Sequence, residues 1–125
     1  MSYDDFRKVV VFRDQREEAV RLSDAGRLAA FEAMFWESLA SLSELELLQL
    51  AEFWTANVTA MPTSLYVNLV DVEVNDAGGV TSVISARTCT NELTVPNYRI
   101  EAPELTERLQ LLLQAYEALP QFDTI

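Results

Sequence analysis

Side chains able to do covalent or acid–base chemistry are few in this chain of 125 residues, and histidine is absent altogether. That excludes Ser-His-Asp and Cys-His triads, histidine general bases and the commonest transition-metal ligand. Cys89 is the one thiol. It can neither close an internal disulfide nor build a zinc knuckle. With no activating group beside it in sequence, it reads as an inert, partly buried thiol rather than a nucleophile. Lys8 is the sole lysine and lies in a charge-balanced stretch, without the glycine-rich loop or desolvated pocket that a phosphate-binding or Schiff-base role requires.

Two carboxylate patterns invite closer reading. Asp71-Val72-Glu73-Val74-Asn75 alternates oxygen ligands like the start of a calcium loop. Its sixth position is Asp76 where glycine is required, and its twelfth is Ser82 where a bidentate glutamate belongs. A solvated strand face accounts for it. Glu32 lies beside an apolar helix stripe, where a carboxylate of raised pKa could serve as a general acid. Carboxylates so placed more commonly pair with arginine. The inventory therefore gives no catalytic residue, no metal ligand set and no cofactor, and the chain is not expected to be an enzyme.

The elements that would position any site follow from periodicity. Lys8 to Phe12 is β-branched and aromatic and predicts a short strand, with a continuous helix from Tyr3 as the rival. Asp14-Gln15-Arg16-Glu17 has N-cap spacing and predicts a helix through Leu22. Leu28, Phe31, Phe35, Leu39 and Leu42 recur on one helical face, widened by Trp36 and the alanines between. Such a helix is central or forms an oligomer contact. Ser41 with Glu44, and Ser43 with Glu46, are overlapping capping boxes that open a helix to about Asn57, burying Leu47, Leu48, Leu50, Ala51, Trp54 and Val58. Pro62 closes the helical half.

The period then changes to two. Leu65 to Val74 reads as a long strand with a bulge near residue 69 or 70, where the apolar positions change parity. Asn75 to Gly79 is a turn, Val80 to Thr90 a returning strand, and a third strand falls within Leu93 to Ile100. Pro103 opens a last helix whose stripe is Leu105, Leu109, Leu112, Tyr116 and Leu119. The expected fold class is α+β: N-terminal helices, with or without a short strand preceding them, followed by an antiparallel hairpin or meander and a C-terminal helix. One domain over residues 1–125 is expected.

Charge carries the remaining signal. The net charge is −11, and no basic residue occurs from Leu28 to Ala86. An acidic field disfavours direct nucleic-acid and membrane binding and favours a protein partner with a basic surface. Glu37, Glu44, Glu46, Glu52, Asp71, Glu73 and Asp76, with Trp36 and Phe53 as aromatic anchors, are the expected partner-binding residues. Acidity that only keeps the chain soluble is the plainer alternative. The acidic N-terminus lacks the basic start and apolar run of a signal peptide, so a cytoplasmic location is expected.

The physical type is that of a small acidic inhibitor that neutralises a macromolecular partner, such as a phage anti-defence or toxin-immunity protein. A homo-oligomeric chaperone or adaptor, dimerising through the apolar helix, is the second reading. A carboxylate-dependent enzyme or ligand-binding domain is the third.

Overall fold

A computed structural model describes residues 2–56, 63–73, 76–78 and 82–118. Val58, Pro62, Val74, Asn75, Gly79 to Thr81 and Leu119, each used in the expectations above, lie outside them. The elements run α1 (Tyr3–Val9), β1 (Val10–Asp14), α2 (Glu18–Ser23), α3 (Arg27–Ala40), α4 (Glu44–Thr55), β2 (Leu65–Val70), β3 (Ser85–Arg87), a 3-10 turn (Thr88–Thr90), β4 (Glu92–Pro96) and α5 (Ala102–Ala118). The fold is mixed α+β, with helices before the main strands, an antiparallel hairpin and a C-terminal helix, as the sequence leads one to expect.

The strand expected over Lys8 to Phe12 lies two residues further on, at Val10–Asp14, and the rival helix from Tyr3 runs only to Val9. Ser2 caps α1 through a reciprocal box with Asp5, and the helix stops at Val9, where the β-branched run takes over as β1. Asp14 does not cap α2. Its carboxylate is held by Arg16 instead, and α2 starts at Glu18 without a side-chain cap. Of the two overlapping boxes only Ser43 with Glu46 forms, with Glu46 N–H donating to Ser43 Oγ at 3.1 Å and Ser43 N–H to the Glu46 carboxylate at 2.9 Å. Ser41 ends α3, its hydroxyl turned back to the Glu37 carbonyl.

Strand pairing departs most from expectation. Residues 65–70 and 85–87 do not form the hairpin that the turn at 75–79 suggests. The sheet order is β1-β2-β4-β3, with β1, β2 and β4 parallel and only β3 and β4 antiparallel. A turn signal reports a local reversal, not the identity of the partner, and the long 71–91 connection gives the chain room to cross from β2 to β4. Registers run unbroken through Leu69 and Val70, so no bulge interrupts β2, and the strand simply ends there.

Leu65, Val67 and Leu69 of β2 and Leu93 and Val95 of β4 face the helices and are buried with Phe6, Phe31, Phe35, Leu50, Trp54, Leu105 and Leu109. Leu48 is partly exposed rather than buried, and Leu113 takes the buried place expected of Leu112. The opposite face of the sheet is polar: register places Arg13, Asn68, Thr94, Glu92, Ser85 and Arg87 there. Asn68 occupies an outer-face position and is nonetheless buried under its neighbours.

Candidate functional site

Cys89 sits at the middle of the 3-10 turn that joins β3 to β4, and it is exposed, not partly buried as expected. Its hairpin is closed by the pair Arg87 and Glu92. Asn91 ends the turn with φ 56°, in the left-handed region where asparagine is among the better tolerated residues. From the core side, the Asn91 carbonyl accepts the Trp54 indole N–H at 2.9 Å and the Tyr66 N–H at 2.9 Å. Trp54 is itself fully buried, stacked on Phe6 and edge-on to Phe35. The thiol is thus solvent-facing on a turn anchored to the buried core through Trp54.

The outer face of the sheet holds the turn from the other side. Arg13 Nε donates to Asn68 Oδ1 at 2.8 Å, and the Arg13 guanidinium lies over the Tyr66 ring at 4.3 Å. Asn68 Nδ2 donates to Glu92 Oε1 at 3.0 Å, which also receives an ion pair from Arg13. The second Glu92 oxygen accepts the Thr90 hydroxyl. Hydrogen bonds, first from Thr90 and then from Asn68, with Arg13 nearby, hold the Glu92 carboxyl below its ordinary pKa. Beside this network a polar cleft of about 250 Å³ is lined by Gln15, Asn68, Ser85, Arg87, Glu92 and Thr94.

A second polar centre pins the end of β1 to the loops of the helical layer. The Arg16 side chain is fully buried and grips Asp14 with two bonds of 2.9 and 2.7 Å while donating to Asp24 at 3.2 Å. Asp24 also receives Arg99. Both carboxyls are held below their usual pKa, Asp14 chiefly by its Arg16 bonds and Asp24 chiefly by Arg99.

The expected partner-binding residues do not gather in one place. Glu44 lies along a groove with Asp5 and Leu45, and Glu46 along another between α4 and α5. Asp71 and Glu73 share a third, larger groove with Glu17 and an apolar floor of Val70, Val83 and Pro96. Glu37 is exposed on α3, Glu52 half-buried on α4, and Asp76 exposed in the 76–78 turn. Glu46 serves as the α4 cap and Asp71 accepts the Glu17 N–H. Trp36 and Phe53 pack against the core, Trp36 with Tyr3, Phe12 and Phe35 around it and Phe53 edge-on to Tyr116. Glu32 is half-buried on α3. Among the described residues no acidic, cysteine and histidine cluster could hold a metal ion.

A family model described as HECT-domain (ubiquitin-transferase) matches residues 1–119, and the chain belongs to that family. No curated protein matches it. Membership overturns the expectations of a phage inhibitor, an immunity protein, a chaperone or adaptor, and a small carboxylate-dependent or ligand-binding domain, and with them the expectation that the chain is not an enzyme. The absence of histidine does not bar membership, because acyl transfer between thiols does not require one. The expectation of a protein partner agrees with this family. No helix among the described residues is long and apolar enough to cross a membrane.

Proposed function

We propose that the chain accepts ubiquitin as a thioester on Cys89 and passes it to an amine. In the first step the Cys89 sulfur attacks the C-terminal carbonyl of ubiquitin carried on a donor thiol. The new C–S bond forms, the donor C–S bond breaks, and the proton lost by Cys89 is balanced by protonation of the departing donor thiolate. In the second step an acceptor amine attacks the same carbonyl, Cys89 leaves as thiolate, and the amine releases its extra proton to water. One thioester is exchanged for another and then for a more stable amide, so no cofactor is needed.

The observation that carries this reading is the placement of Cys89. In a transferase family member, the only thiol is exposed at the tip of the β3–β4 hairpin, fixed through Asn91 to Trp54. The net charge of −11 supports a partner of basic surface brought in by long-range attraction, although Glu37, Glu44, Glu46, Glu52, Asp71, Glu73 and Asp76 form no single patch and Trp36 and Phe53 pack against the core. A single domain over 1–125 working in the cytoplasm, alone or as a homodimer, fits the same reading.

Incubation of the chain with a ubiquitin thioester tests it. A one-to-one adduct that excess reductant removes is expected, and Cys89→Ser should give an adduct that reductant leaves intact. An adduct that survives in Cys89→Ala would overturn the assignment.

A further inference from the structure

Three residues on the outer face of the sheet, Arg13, Asn68 and Glu92, form a chain of contacts that ends on Thr90, beside Cys89. We propose that Glu92, held by Arg13 and Asn68, is a positioning residue that acts through Thr90 to fix the turn bearing the thiol; this rests on the assignment of Cys89 above. Each link is short and directional. Asn68, only 3% exposed, is locked by Arg13 at 2.8 Å and in turn donates to Glu92 at 3.0 Å. Arg13 pairs with the same Glu92 oxygen. The other oxygen is left for Thr90, the residue that follows Cys89.

The reason for regarding this as more than sheet-face packing lies in Thr90. Its side chain is exposed, so burial does not fix it, and its hydroxyl, which also lies 3.4 Å from the Arg87 carbonyl, reaches the one oxygen of Glu92 that no strand residue uses. Three strands therefore converge on one carboxylate whose remaining acceptor points at the nucleophile's turn: β1 through Arg13, β2 through Asn68 and β4 through Glu92 itself. Trp54 and Tyr66 hold Asn91 from the core face, while Glu92 holds Thr90 from the outer face. Cys89 is then presented in one orientation to an approaching carbonyl, and orientation is where a thiol without a histidine partner has most to gain. Arg13 also neutralises the Glu92 charge, so the network adds no uncompensated anion beside the thiol.

Thr90→Val keeps the shape of the side chain and removes the hydroxyl, while Thr90→Ser keeps the hydroxyl. With the full chain and a ubiquitin thioester as donor, Thr90→Val is expected to lower kcat for adduct formation on the order of tenfold while KM stays within twofold. Its urea midpoint should match that of the parent. Thr90→Ser should recover most of the loss, and Glu92→Gln, which removes the charge that Thr90 donates to, should repeat the kcat-against-KM split. Unchanged kcat in both Thr90→Val and Glu92→Gln, or no recovery in Thr90→Ser, would overturn the positioning role. Loss of the adduct in Cys89→Ala, measured in parallel, keeps the two questions apart. Persistence there sinks the assignment of the thiol, whereas its loss with unaffected Thr90→Val sinks only the role of Glu92.

Discussion

Replacing Trp54 by phenylalanine probes the link between core and site. Trp54 is 0% exposed, and its indole N–H reaches the Asn91 carbonyl at 2.9 Å. Losing a neutral hydrogen bond of this kind costs about 1 kcal/mol. Asn91 keeps its bond from Tyr66, so no acceptor is orphaned and the figure stays near the middle of the range. The missing half of the indole removes about two methylene equivalents of buried surface, about 0.8 kcal/mol each, with a partly relaxed void in addition. The sum is about 3 kcal/mol. Urea unfolding followed by far-ultraviolet circular dichroism measures it, and Trp36→Phe is the control. Trp36 is half-buried, keeps its aromatic neighbours as phenylalanine, and should cost about 1 kcal/mol. A second readout is specific to the site: alkylation of Cys89 by iodoacetamide should change rate in Trp54→Phe and not in Trp36→Phe, because only the former loosens the thiol's turn. Equal costs for the two tryptophans, with identical alkylation rates, would refute the claim that the turn is anchored through Trp54.

Arg16→Met leaves Asp14 without its buried partner and should cost about 3 kcal/mol in urea unfolding, against near zero for exposed Arg21→Met. Acid should act through the same carboxylates. Asp14 and Asp24 are held below 3.8 when folded and return to it when unfolded, so their contribution is present above about pH 3.8 and is lost as pH falls through the depressed values. Unfolding midpoints measured across acid pH should therefore fall in the parent, and less steeply in Arg16→Met. Ser43→Ala removes the acceptor at the start of α4 and should cost about 1 kcal/mol, whereas Ser41→Ala should cost much less, because the Ser41 hydroxyl caps nothing.

The helices were the most legible part of the sequence, because their signals are local. The stripe from Leu28 to Leu39, the Ser43 box and the proline near the start of α5 each report on residues within a turn or two. Parallel pairing was not legible, since the alternation in Leu65 to Val70 is the same whichever strand lies beside it. Arg16 also escaped notice. A charged side chain at a position with cap spacing looks like solvent-facing helix until Asp24 and Asp14 are brought round it. The site shows the same division more sharply. Cys89 was visible as a lone thiol, but Val80 to Thr90 read as strand rather than as the 3-10 turn that carries it, and the groups that define its setting come from Arg13, Trp54 and Asn68. Sequence spacing cannot place such distant side chains around one turn. The one local cue was Asn91, a residue suited to the left-handed conformation that ends the turn.

Mapping the attachment point of ubiquitin tests the central claim most directly. After reaction with a ubiquitin thioester and an acid quench, digestion and mass spectrometry should find the ubiquitin C-terminus on the peptide containing Cys89, at up to one equivalent per chain. Ubiquitin found instead on Lys8, with Cys89 unmodified at every time point, would contradict it.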